Sequence, residues 1–182
     1  MKLIPLTPDS PDVMLAQQLN EEAFPDNERV DLDDFFRSNT DGQLEILGIY
    51  TEEAFSGFFV MRLFQNIAYM AFFAVIKEKR SLGIGSQALK DLKEYYPGKQ
   101  IVVDFESVRE EAANKGQRQR RRNFYLRNGF YKTGWFQFYS DTEFEIVCSV
   151  PMFDKETFEA LIADIHARVP EFDPHLYNYS LN

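Results

Sequence analysis

Hydrophobic and polar positions along the chain change period several times, and each change predicts an element. "KLIPL" alternates briefly and predicts a short first strand. "SPDVMLAQQLNEEAF" has helical spacing, with Ser10 as N-cap and Pro11 in the first helical position. "VDLDDFFRSN" predicts a second, shorter helix. "QLEILGIY", "AFSGFFVMRLF" and "NIAYMAFFAVI" predict three strands, joined at Thr51–Glu53 and at Gln65 and Asn66 by connections short enough for hairpins. The third of these is apolar almost throughout, as expected of a central strand covered on both faces.

Helical spacing returns at Ile84–Tyr95, where Ile84, Ala88, Leu89 and Leu92 share a face. "IVVDFE" predicts a fifth strand. A basic segment then runs into "NFYLRNGF", a helix with Gly129 placed as a left-handed C-cap. "YKTGWFQFY" and "EFEIVCSVP" predict two more strands around a turn near Ser140 and Asp141. "DKETFEALIADIHARV" predicts a last helix with Asp154 as N-cap and Phe158, Leu161, Ile162 and Ile165 inward. The order β-α-α-β-β-β-α-β-α-β-β-α describes one mixed α/β (α+β) domain over residues 1–182, with a seven-stranded sheet. The helix between the fourth and fifth strands is expected to make them parallel.

Composition adds little to this: 182 residues, 45% hydrophobic and 27% charged, suit one globular domain. Charge adds more. The net charge is −9, and residues 1–60 carry 13 acids against three bases. That balance repels nucleic acid and draws a cationic partner. The single cysteine, Cys148, forbids an intrachain disulfide and lies in an apolar stretch, as a buried small residue does. His166 and His175 have no partner at ligand spacing, so no metal is expected. The absence of a leader pattern or a long apolar run leads to the expectation of a cytoplasmic protein without a membrane span.

The chemistry starts at two glycines, Gly83 and Gly85, at the mouth of the third helix. A helix N-terminus exposes unpaired N–H groups, and glycine lets an anion approach them. A Walker loop would need Lys after its last glycine, and Ser86 stands there. A dinucleotide loop would need a parallel βαβ unit, whereas the strand before the loop ends an antiparallel meander; Asp104 and Glu106 nevertheless fall near its acidic position. Arg80-Ser81-Leu82-Gly83-Ile84-Gly85 matches a third pattern, Arg/Gln-x-x-Gly-x-Gly/Ala, without gaps. There the chain resembles the GNAT N-acetyltransferase superfamily. "NFYLRNGFYKTG" resembles a second signature of that family, with Tyr125 four residues before the Gly129-Phe130 pair. The resemblance covers roughly residues 3–150 and leaves the last helix and tail, 151–182, outside it.

The resemblance implies a splayed sheet, acetyl-coenzyme A as cosubstrate and direct acetyl transfer to an amine. It implies that the backbone of Phe73, Ala74 and Val75 binds pantetheine. It also implies that the N–H groups of Ser81, Leu82, Gly83, Ile84, Gly85 and Ser86 cradle the pyrophosphate, with Arg80 adding charge. Tyr125 is implied as the donor to the leaving thiolate. A carboxylate at a strand end is expected as base, with Glu106 preferred over Glu78 and Asp104. "EEAFPDNERVDLDDFF" resembles the helical hairpin that walls the acceptor site. Glu22, Glu28, Asp33 or Asp34 are candidates to hold a small cationic amine there, beside Phe24, Phe35 and Phe36.

The basic run Lys115, Arg118, Arg120, Arg121 and Arg122 departs from the family pattern, where an amide is expected at Arg118; Asn123 or Asn114 are the stand-ins. The run suits either a grip on coenzyme A phosphates or a solvated face. Phe172, Tyr177 and Tyr179 fit the tail for docking on the body or on a second subunit in a homodimer. Besides a small-molecule acceptor, two alternatives stand: acetylation of a protein or peptide amine, and a non-catalytic coenzyme A-binding sensor.

Overall fold

The amphipathic and alternating stretches form the elements they predict, with small shifts at their ends. The computed structural model describes residues 1–26, 29–109 and 112–179. Among them are β1 (Lys2–Pro5), α1 (Val13–Ala23), α2 (Leu32–Ser38), β2 (Leu44–Thr51), β3 (Ala54–Phe64) and β4 (Ile67–Val75). These are followed by α3 (Ile84–Tyr95), β5 (Gln100–Glu106), α4 (Lys115–Arg127), β6 (Tyr131–Tyr139), β7 (Thr142–Cys148), α5 (Lys155–Arg168) and β8 (His175–Asn178). A single turn of 3-10 helix, Lys77–Lys79, links β4 to the loop before α3.

The described residues thus hold eight strands rather than seven. The additional strand is β8 in the tail, which pairs antiparallel with β6 from Trp135↔Asn178 to Phe138↔His175. Its alternation is hidden in sequence because His175 and Asn178 are polar and the strand is four residues long. One helix start also differs. α1 begins after Asp12, while Ser10 closes the preceding turn, its Oγ accepting from Thr7 N at 2.8 Å.

The chain forms two compact units, Met1–Leu63 with Tyr69–Pro97, and Phe64–Ala68 with Gly98–Asn182. In the first, β1, β2, β3 and β4 follow one another as neighbours, with β1–β2 and β2–β3 antiparallel. Its core joins Leu6, Ala16, Leu19, Leu32, Ile46, Phe55, Phe58, Val60 and Ala74. Phe24 and Phe35 close on Phe72 of β4, with ring centroids 4.9 and 5.6 Å apart, and so fasten the α1–α2 hairpin to the strand.

In the second unit the strand order is β5-β7-β6-β8, all antiparallel. Ile101, Val103, Phe105, Val147 and Phe158 are among its buried residues. Asp154 caps α5 by accepting from Thr157 N at 3.0 Å. Cys148 is buried there and burial pushes its thiol pKa up, the reverse of what a nucleophile needs.

Candidate active site

The first candidate region is the loop from the end of β4 into α3. Gly57 on β3 lets β4 approach closely: a Cβ at Gly57 would lie 2.3 Å from the carbonyl oxygen of Ala74. Beyond β4 the backbone turns left-handed twice, at Ser81 (φ 64°) and at Gly83 (φ 80°). Ser81 holds a conformation that ordinary residues avoid, and such strain gathers at ligand-binding loops. Gly83 is the N-cap of α3 and offers no side-chain cap. The intrahelical ladder starts with Gln87 N donating to Gly83 O at 3.0 Å. The N–H groups of Ile84, Gly85 and Ser86 therefore stand before the ladder, with no acidic residue in the first turn.

A Cβ at Gly83 would meet nothing within 4 Å, so the approach to those groups is open. Leu82, beside it, is exposed. Arg80 lies on the same loop, but its Nε donates to Val75 O at 2.9 Å, which draws the guanidinium back over the end of β4. Phe73 is stacked on Phe59, centroids 4.4 Å apart, and Ala74 is buried, so β4 is anchored by its side chains just before Val75. An uncapped helix start with a left-handed entry fits a phosphate group.

The second candidate region is the inner face of α4. The helix ends in two linked hydrogen bonds: Gly129 N donates to Leu126 O, and Phe130 N donates to Tyr125 O. With Gly129 at φ 74° this is a Schellman ending, and its usual hydrophobic contact is the pair Tyr125–Phe130, centroids 5.5 Å apart. The spacing Tyr-x-x-x-Gly-Phe is therefore a property of the helix end itself. Tyr125 also stacks on Phe105 of β5 at 5.4 Å with planes 3° apart. Burial raises its phenol pKa above the ordinary value, against the opposing charge of Arg121. The hydroxyl keeps its proton at neutral pH.

The basic run turns inward instead of forming a solvated face. Arg118 is buried and pairs with Glu106 at 2.8 Å, while its Nε donates to Asn114 Oδ1. Arg121 Nη1 reaches the other oxygen of Glu106 at 3.3 Å, and Arg122 Nε reaches Glu145 at 2.6 Å. Of the five basic residues, Lys115 and Arg120 are exposed. Two acids on the strands beside α4 explain the departure: Glu106 and Glu145 are largely removed from water and need compensation.

Glu106, the expected base, is therefore heavily engaged. Both its oxygens receive donors from arginine, and Asn114 Nδ2 lies 3.2 and 3.4 Å from them. Asp104 accepts from Gln137 at 2.7 Å. Glu78 is exposed on the 3-10 turn. Asn123 lies on the exposed side of α4 and accepts from Gln119, whereas Asn114 is the N-cap residue next to Arg118.

In the α1–α2 hairpin the aromatic residues divide their roles. Phe24 and Phe35 pack on Phe72. Phe36 lines a groove of about 340 Å³ with Leu6, Asn39, Leu44 and Glu45. Asp34 pairs with Arg37, and Glu22 accepts from Gln18. Glu28 lies outside the described residues.

Sequence reasoning missed one cluster. Tyr177 OH donates to Glu143 at 2.5 Å, Tyr179 OH donates to the same oxygen, and the Arg109 guanidinium lies 3.6 Å from the Tyr179 ring centroid. The aromatic tail was the only signal of it in the sequence.

The family model described as "Acetyltransferase (GNAT) family" matches residues 13–130. Among solved structures, a GNAT-family protein from Bacteroides thetaiotaomicron is 23% identical with a TM-score of 0.76, covering 94% of this chain and 99% of its own. The ribosomal-protein-S18-alanine N-acetyltransferase of Escherichia coli is 16% identical with a TM-score of 0.59, covering 85% and 96%. The aminoglycoside 6'-N-acetyltransferase of Enterococcus faecium is 10% identical with a TM-score of 0.60, covering 85% and 100%. No curated protein gives a significant match.

Proposed function

The chain belongs to the GNAT acetyltransferase family and is an acetyl-coenzyme A-dependent N-acetyltransferase; from that premise we propose that it acetylates the primary amine of a small, cationic molecule by direct transfer. The observation that carries the cosubstrate part is the uncapped start of α3 behind the left-handed turn at Gly83. Its backbone N–H groups suit a pyrophosphate. The acceptor part is supported by the acidic first 60 residues, which favour a cation. Fold likeness does not choose between a protein and a small molecule, since relatives acting on either have nearly equal TM-scores.

In this reading the neutral amine attacks the thioester carbonyl, the C–N bond forms and the C–S bond breaks. The backbone N–H groups near Val75 stabilise the oxyanion. Tyr125 supplies the proton or hydrogen bond that the leaving thiolate needs, a role suited to a phenol that burial keeps protonated. Glu106 takes the amine's proton through a water. That water would displace the Asn114 contact, which at 3.2 and 3.4 Å is the weakest one on the carboxylate not made by a charged group. Phe73, Ala74 and Val75 bind pantetheine through their backbone, and Arg80 releases Val75 O to meet phosphate.

The test is thiol release from acetyl-coenzyme A across a panel of small amines and N-terminal peptides. Faster turnover on small polyamines or amino sugars than on every peptide is the expected result. Faster turnover on peptides overturns the acceptor class. Tight cosubstrate binding with no turnover on any amine would favour a sensor.

A further inference from the structure

The cluster around Glu143 has the composition of a cation site. Three rings meet there: Tyr177 stacks on Phe136 with centroids 6.1 Å apart, and Tyr179 stands edge-on to Phe136 at 5.2 Å and to Tyr177 at 5.3 Å. Glu143 lies at their base with its side chain only 5% exposed. Burial opposes its charge, yet the nearby Ser107 hydroxyl, the hydrogen bonds from Tyr177 and Tyr179 and the charge of Arg109 outweigh that and hold its pKa below the ordinary value.

A cation already lies in this frame. The Arg109 guanidinium carbon is 3.6 Å from the Tyr179 centroid and 5.6 Å from that of Phe136. Its fit is incomplete. Arg109 Nε stops 4.0 Å from Glu143 Oε1, beyond hydrogen-bond reach, and Oε1 is buried without a partner in hydrogen-bond geometry among the described residues. Unlike Glu143, the Arg109 side chain is 52% exposed, so it can leave for water. A neutral group cannot take its place, because a buried carboxylate would be left uncompensated. Another cation can, and a smaller or better-aimed one would satisfy Oε1 as well.

Strand register relates the cage to Tyr125. Phe105, Glu145, Phe136 and Tyr177 stand opposite one another across β5, β7, β6 and β8. Glu143, two residues from Glu145, therefore points to the same sheet face as Phe105, on which Tyr125 is stacked. Two residues along a strand span about 7 Å.

Resting on the acetyltransferase reading, we propose that Phe136, Tyr177, Tyr179 and Glu143 bind a second cationic group of the acceptor, an alkylammonium or guanidinium other than the amine acetylated, and that Arg109 occupies this cage until the acceptor displaces it. The acceptor class is then a diamine or polyamine. A monoamine of equal length leaves Arg109 in place.

The first arm needs no cosubstrate and no turnover. Methylguanidinium is titrated into wild type and Arg109→Ala while its methyl proton resonance is followed. The expected result is saturable binding to Arg109→Ala with an upfield ring-current shift, at least about tenfold tighter than to wild type. Adding Tyr179→Ala, at a residue that is itself 44% exposed, is expected to weaken it about tenfold again. Equal binding by wild type and Arg109→Ala, or no loss on adding Tyr179→Ala, overturns the cage. The second arm compares kcat/KM for a linear diamine and the monoamine of equal length. A preference of about tenfold or more that disappears in Glu143→Gln supports the assignment to the acceptor. An unchanged preference in Glu143→Gln, or none in wild type, overturns that assignment even where the first arm succeeds. Absence of turnover on every amine defeats the acetyltransferase reading alone, since the first arm stands without it.

Discussion

The loop into α3 and the inner face of α4 carry the two family signatures by opposite physical means. The loop presents backbone: left-handed turns at Ser81 and Gly83, an uncapped helix start, and exposed side chains such as Leu82. The α4 face presents side chains: a phenol clamped between Phe105 and Phe130, and three arginines spent on buried acids. A backbone site tolerates changes of side chain but not of dihedral angle. A side-chain site tolerates neither loss of volume nor loss of charge.

That contrast is open to mutation. The largest effect is expected at Arg118→Ala, which removes the principal partner of Glu106 and is expected to lower unfolding free energy by about 3 kcal/mol in urea titration. A loss under about 1 kcal/mol would mean that Arg121 and Asn114 suffice. Next, Tyr125→Phe keeps the ring contacts with Phe105, Phe124 and Phe130 and removes only the hydroxyl. Turnover is expected to fall about a hundredfold with coenzyme A affinity unchanged, as steady-state kinetics and calorimetry would measure. Equal turnover would reduce Tyr125 to a helix-end packing residue.

Gly83→Val comes third. Its φ of 80° strains any branched residue, and coenzyme A affinity is expected to drop at least about tenfold. Gly83→Asn, which visits left-handed backbone more readily, is expected to lose distinctly less; an equal loss in both would show that side-chain bulk and not backbone angle decides. The smallest effect is expected at Ser86→Ala, less than about threefold in the same calorimetric titration, because its N–H is retained. A large loss there would show that the loop uses side chains after all.

The elements were legible because their signals are local. Helical spacing located α3 to its ends, Asp154 capped α5 as expected, and the Gly129 ending of α4 followed from one residue's freedom at positive φ. The start of α1 was not, because Ser10 found a closer partner in Thr7 than in the helix. β8 was hidden for another reason. Four residues of mixed polarity form a strand only because the edge of β6 offers them hydrogen bonds.

Among candidate site residues the same division holds. Gly83 and Tyr125 stand out as candidates by spacing, which reports on contiguous backbone. Arg118, Arg121 and Arg122 were legible as charge but not as inward charge, because their partners Glu106 and Glu145 lie on strands, outside the pattern of the helix itself. The sequence by itself determined the family, the order of elements from β1 to α5 and the left-handed turn at Gly83, since each depends on residues within one element or loop. Only the tertiary structure decided which charges are buried together and that Arg109 lies over Phe136 and Tyr179. Those arrangements depend on which strands pair and in what register, and a single chain's pattern does not encode register beyond its own hairpins.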